Sequence, residues 1–351
     1  MNYYTSTTEY NCGIDLHANQ MYVCVMDRDG NKRVHKNIKG NDFDFFLKQI
    51  EPYRDDLTAV CECCFNWYWL ADACCDANIE FVLGHALYMK HIHGGKNKND
   101  KIDSEKLAHL LRANLIPPSY VYPSERRPMR ALLRQRLSYV WERATLQGHL
   151  SMNQTAEGLS PAPKGGHNRD VWEKRILAQY PDPLHRLAVK CDMEIIRSYD
   201  ARITLIENTL ETLAKKHCGR DYDVIRSIPG IGRILTLTIL FEIDTISRFP
   251  TVKNFSSYSR LVKGSVASAG KVKGLCGGKM GNAYLRWAFG EAAVLSKRSH
   301  PLIGPYAEML TSKHGKFKAN AILANKLGRA CYHMLQKGTV FDAELVVGSS
   351  I

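Results

Sequence analysis

A chain of 351 residues exceeds one small module and fits two or three units of about 100 to 200 residues each. Hydrophobic residues make up 45% and charged residues 24%, ordinary values for a globular protein, which exclude wholesale disorder and fibrous repeats. The charge is less ordinary: 48 Lys and Arg against 35 Asp and Glu leave +13 before any His is counted, so a polyanionic partner is expected.

The first hundred residues alternate strand and helix signals. Residues 11–16 and 21–27 read as short strands, Arg28-Asp29-Gly30-Asn31 as a turn, and 32–38 as a third strand. Apolar residues at helical spacing (Phe43, Phe46, Leu47, Ile50) mark a helix over 42–53, and 57–61 is a short buried strand ending at Glu62. A helix over 67–78 and a strand over 79–83 follow. Three antiparallel strands and then alternating helices and strands give a mixed sheet in the order of an RNase H-like, RuvC-like domain, assigned to 11–122.

After Pro117, Pro118 and Pro123 long helices take over. Met129, Leu133, Leu137, Val140 and Ala144 form one stripe. Beyond a Gly/Pro-rich loop, Ile196, Tyr199, Ile203, Ile206, Leu210 and Leu213 recur at steps of three and four, the spacing of a coiled-coil seam. An antiparallel helical arm over 123–222 is expected, with a helix inside a globular bundle as the alternative. A run around 234–243 is apolar but short and carries Thr and Glu. No stretch reaches the ~18 apolar residues of a membrane span, and the polar first twelve residues do not resemble a signal peptide. The expected location is the cytoplasm.

The last third, 223–340, reads as a helical domain. It opens with Ile228-Pro229-Gly230-Ile231-Gly232 between helical stretches, the form of a helix-hairpin-helix. Its Gly230 and Gly232 would let backbone N–H groups meet a phosphate. A loop rich in Gly and Lys then runs from Lys263 to Arg286. Lys263, Lys271, Lys273, Lys279 and Arg286 are the first candidates for phosphate contact, with Lys313, Lys316 and Lys318 next. Eleven cysteines include Cys61 and Cys64 at metal-like spacing, but no second pair follows, and small buried hydrophobes are the better reading.

Four acids carry the chemistry. Asp15 ends the first strand, Glu62 ends the strand expected beside it, and Asp100 and Asp103 stand three apart at the start of a helix expected over 104–113. One aspartate before a helix is more often its cap. All four in this order, in a basic protein, point instead to oxygen ligands for Mg²⁺, or Mn²⁺, acting on a phosphodiester.

Cys12-Gly13-Ile14-Asp15-Leu16-His17, Glu62 before the aromatic run 65–69, and Asn99-Asp100-Lys101-Ile102-Asp103-Ser104 resemble the DEDD insertion-sequence transposases whose members use a bridge RNA. Ile228 to Gly232, 255–261, Ser268-Ala269-Gly270-Lys271 and Gly281-Asn282-Ala283-Tyr284-Leu285-Arg286 resemble that family's transposase domain. The resemblance implies a recombinase in which a serine, matched here by Ser268 with Ser265 as fallback, forms a covalent phosphoserine link to DNA beside the metal-holding tetrad. The family usually has Ser-Gly where this chain has Ser268-Ala269-Gly270. The resemblance also implies a noncoding bridge RNA and a homo-oligomer, dimer or tetramer. Two other readings are a junction-resolving, metal-dependent endonuclease that activates water, and a non-catalytic nucleic-acid-binding scaffold.

Overall fold

The computed structural model describes residues 3–92, 99–160, 169–268, 271–276 and 280–348. It divides into two compact units, Met1–Glu125 and Arg126–Ile351, each built around its own cores.

The first unit is a five-stranded sheet. Its strands are β1 (Tyr10–Leu16), β2 (Gln20–Met26), β3 (Lys32–Lys39), β4 (Leu57–Glu62) and β5 (Glu80–Gly84), in the order β3-β2-β1-β4-β5. β1 runs antiparallel to β2 and parallel to β4, which is parallel to β5. This is the expected RNase H-like mixed sheet, with β1 at its centre.

Helices cover both faces, which is why β1, β2 and β4 are buried almost throughout. One face packs Cys12, Ile14, Ala59 and Cys61 against α1 (Phe43–Ile50) and α2 (Trp67–Asp76). A short α3 (Ala86–Ile92) follows β5, and α4 (Asp100–Arg112) closes the other face over Val60 and Val82. Gly13 permits that closure. A Cβ on it would stand 2.2 Å from the Ser104 carbonyl oxygen and 2.4 Å from the Ala108 nitrogen, so no other residue lets α4 settle on β1.

Among its described residues the second unit is helical apart from one hairpin. α5 (Arg127–Ala156) and α7 (Pro183–Arg226) lie antiparallel, with α6 (Arg169–Ala178) beside α7. The direction is read from their partners: Arg136 binds Glu207 at 2.6 Å, while Arg143, further along α5, binds Asp200, further back on α7, at 2.5 Å. At the far end, Leu150, Ile176, Tyr180, Val189, Met193 and Ile196 form a separate small core. At the near end, Leu133, Ile206, Leu210 and Ala214 join the main core of the unit. The seam expected at Leu213 passes instead through fully buried Ala214. The arm thus has a distal core of its own and a root shared with the domain that follows. α7 is interrupted at Cys218 (φ −141°, ψ 35°) just before that root ends.

Beyond it come α8 (Arg233–Ile243), α9 (Val252–Tyr258), the antiparallel pair β6 (Gly264–Ser268) and β7 (Lys271–Cys276), then α10 (Ala283–Ser299), α11 (Ile303–His314), α12 (Lys316–Lys337) and α13 (Ala343–Val347). The segment expected to be an irregular loop is therefore a β-hairpin. Gly264 pairs with Cys276 and Ser268 with Lys271, with a register shift between Val266 and Ala267. Among the described residues no helix is long and apolar enough to cross a membrane.

Candidate active site

Period-two alternation decides which residues share a sheet face. Gly13 meets α4, so Asp15, two residues on, follows on the α4 side, while His17 stands just past the end of β1. On the neighbouring strand Val60 packs in the α4-side core, and Glu62 has the same parity. The ladder between β1 and β4 pairs Ile14 with Cys61, one step before Asp15 and Glu62. The helix starts a turn earlier than the sequence indicated. Asn99, not an aspartate, is its cap, accepting from the Ile102 N–H at 2.8 Å, so Asp100 and Asp103 lie inside the first turn.

The contacts among these groups are specific. His17 Nε2 lies 3.2 Å from Asp15 Oδ2 and 3.3 Å from Asp100 Oδ1. Gln20 donates to Asp100 Oδ2 at 3.1 Å. The His17 carbonyl accepts from Asn66 at 2.9 Å and from Asn41 at 3.2 Å, which fixes the chain where it leaves β1. Burial pushes the Asp15 carboxyl above its ordinary value. His17 opposes this, and the charges of Asp100 and Asp103 add to it. A carboxyl under that pressure gains from a nearby cation.

One ligand atom each from Asp15, His17 and Asp100 falls within a 4.8 Å cluster, which suits one divalent ion. Asp103 instead binds Lys106 at 3.1 Å, and Glu62 stands exposed at the end of β4; neither belongs to that cluster. The sequence reading passed over His17. Just past the end of β1, it gave no local signal, and its contacts with Asp15 and Asp100 are what reveal it.

Among the described residues no cysteine belongs to the cluster of metal-ligating groups. Cys12, Cys24, Cys61 and Cys74 are buried free thiols. A hydrogen bond from Cys61 brings the Cys64 thiol down to about 6 against the opposing effect of burial, while that same bond and burial push Cys61 well up.

In the second unit, Gly230 has a positive φ of 82°, and a Cβ there would stand 2.5 Å from Ser296 N and 2.7 Å from Ala292 O on α10. Its missing side chain therefore has a packing cause. Gly232 caps α8 with extended backbone, and only the Arg226 guanidinium, at 3.9 Å, lies near its added Cβ. Lys263, Lys271, Lys273, Arg286, Lys313, Lys316 and Lys318 are exposed; Lys279 and residues 269–270 lie outside the described residues.

The base of the hairpin is tied down. Arg260 Nε donates to the Gly281 carbonyl at 2.8 Å, and Gly281 takes a φ of 89° under the Tyr258 carbonyl. Asn282 caps α10 and donates to buried Glu242 on α8 at 2.7 Å. Glu242 also binds Arg130 and Arg134 of α5 at 2.9 and 2.8 Å. One carboxylate thus joins the arm root, α8 and the exit of the hairpin.

Two family models match the sequence. One, for the DEDD transposase of IS110 elements and described as a transposase, matches residues 12–153. The other, described as the IS116/IS110/IS902 transposase family, matches residues 222–308. No curated protein gives a significant match. The first match spans the sheet and its acids, the second spans α8, the hairpin and α10, and the two in this order make the chain an IS110-family DEDD transposase, an enzyme acting on DNA.

Proposed function

We propose that this transposase cuts and rejoins DNA at the ends of an insertion element through a phosphodiester to Ser268, with Asp15, Glu62, Asp100 and Asp103 as its acidic tetrad and His17 as an added donor. The observation carrying the reading is the cluster of Asp15, His17 and Asp100 at the start of α4, on the sheet face that the parity of Glu62 also selects. A bound Mg²⁺ or Mn²⁺ would neutralise the phosphate and lower the barrier to displacement. The acids' own part is to hold that charge in place, while His17 and Gln20 fix the carboxylates of Asp15 and Asp100. The Ser268 hydroxyl attacks phosphorus as its proton passes to a base, the bond from phosphorus to the departing DNA oxygen breaks, and that oxygen takes up a proton from an acid or water to give a free hydroxyl end. Lys263, Lys271, Lys273, Lys279 and Arg286 neutralise the backbone, and the turn at Gly230 and Gly232 offers it N–H groups. The working unit is a homo-oligomer with the arm over 123–222 assisting assembly, and the division 11–122, 123–222 and 223–340 separates metal, assembly and serine functions.

Asp15→Asn tests the metal half. The amide keeps the shape and removes one anionic ligand, so the Mn²⁺-induced rise in melting temperature is expected to vanish. Cleavage of DNA carrying the element's ends should fall by about 10³-fold, in the range of a lost electrostatic contact to a transition state. Unchanged metal response and cleavage would remove Asp15 from the site. Choice of DNA sequence is delegated to a bridge RNA by base pairing. Sequencing the RNA that purifies with the full chain is expected to yield one structured species encoded beside the gene, and a random sample of cellular RNA would end that part of the reading.

A further inference from the structure

A groove of about 1150 Å³ runs along α12 in the second unit, with the chain that follows that helix as its other wall. Lys318, Arg329, His333 and Lys337 line one side, and the last three repeat every four residues on one helix face. From Lys318 to Lys337 the row is about 28 Å long at 1.5 Å per residue. Among the described lining residues Asp342 is the one acid, and its carboxylate is taken up capping α13.

The cations crowd one another. Partial burial first, and then the charges of Lys337 and Arg329, hold the His333 imidazole below its usual value. The other wall supplies apolar groups, among them Val340, Phe341 and Leu345, the last 73% exposed.

The walls are built in advance. Gly338 ends α12 in the left-handed region (φ 66°) with Arg220 packed on it. The Phe341 N–H donates to Ser227 Oγ at 3.0 Å, and Lys326 Nζ donates to the Val346 carbonyl at 2.7 Å. Leu261, three residues before β6 begins, also lines the groove, beside Asn325 and Gly328 near the middle of the α12 row.

We propose that this groove binds a single strand of DNA, its phosphates along the α12 cations and its bases against the apolar wall. A duplex presents phosphate to any surface but hides its base faces, so it would leave the apolar half of the groove unused. A parted strand uses both halves. DNA is the strand meant because the enzyme's substrate is DNA, and one lining residue, Leu261, stands three residues before the hairpin that carries Ser268. The proposal does not need Ser268 to be the nucleophile, since binding is measured without cleavage.

The test is fluorescence anisotropy of the full chain with a labelled 20-nucleotide oligothymidine, a 20-base-pair duplex and a 20-nucleotide oligouridine. Arg329→Gln with Lys337→Gln is expected to weaken oligothymidine binding about 25-fold at 0.1 M salt and to lower the salt slope by about 1.4, the loss of two single-strand phosphate contacts. Duplex binding should change less than about threefold in the same variant. Leu345→Ser is expected to weaken oligothymidine about fivefold with the slope unchanged, as a lost apolar contact to a base does. Lys174→Gln with Lys216→Gln, removing two exposed charges elsewhere, should leave oligothymidine binding as it was.

Equal loss on single strand and duplex, or no loss at all, overturns the proposal. So does oligouridine bound at least tenfold tighter than oligothymidine, which makes this an RNA groove. A smaller oligomer in the Arg329, Lys337 variant would make it an interface between copies of the chain and overturn it as well.

Discussion

Ser268→Ala is expected to abolish the covalent protein–DNA adduct completely while DNA binding stays within about twofold of the parent, as befits loss of one hydroxyl from a nucleophile and not from a binding surface. Ser268 is the last residue of β6 and pairs with Lys271 through the backbone, so alanine preserves the ladder. The hairpin is anchored at its base through Arg260 and Gly281 and through Asn282 and Glu242, and none of those contacts involves the serine. The assay traps labelled DNA on denatured protein. An adduct that persists in Ser268→Ala transfers the role to Ser265, which pairs with Leu275 further down the ladder. A parent protein that cuts DNA but leaves only free ends would instead favour activated water, the chemistry of a junction nuclease.

The sheet was legible, and with it the nearness of Asp15 to Asp100, because both follow from short-range pattern. Strand alternation, the turn at Arg28 to Asn31 and the run from Asn99 to Ser104 are each signals within a few neighbouring residues, and the order of the elements then put β1 at the centre. His17 was harder. A lone histidine after a strand carries no signal until its contacts with Asp15 and Asp100 reveal it. The hairpin was hidden by composition, since Gly264, Lys271, Lys273 and Gly274 depress strand propensity and only the ladder from the partner strand reveals the pairing. Glu242 was visible only as a polar interruption of an apolar run. Its arginine partners lie 108 and 112 residues away in sequence, and no local pattern encodes such a pair.

That carboxylate supports the largest expected stability effect. Glu242 is 1% exposed, binds Arg134 through both oxygens at 2.8 and 2.9 Å, binds Arg130 at 2.9 Å, and accepts from Asn282 at 2.7 Å. Burial pushes its carboxyl up, but the Arg134 hydrogen bond, the charges of Arg130 and Arg134 and the Asn282 bond outweigh this, and the net shift is downward. Glu242→Gln removes the shared anion and leaves two guanidinium groups facing a neutral amide, at a cost of about 3 to 5 kcal/mol. That is a large part of the roughly 5 to 15 kcal/mol that holds a domain folded.

The pH dependence follows from the sign of the shift. A carboxyl lowered on folding contributes its stability above the ordinary glutamate range and loses it as pH falls through the lowered folded value. The gap between parent and Glu242→Gln, read from denaturant melts of the full chain, should therefore be widest near pH 7 and narrow on acidification below about pH 4. A gap that stays constant across that range would assign the loss to packing and not to charge. Replacing Glu242, Arg130 and Arg134 together by methionine should recover much of the stability, because no buried charge is then left without its partner. Recovery of folding without recovery of adduct formation would show that the carboxylate also sets where the hairpin leaves α10, since Asn282 caps that helix and binds Glu242 with the same side chain.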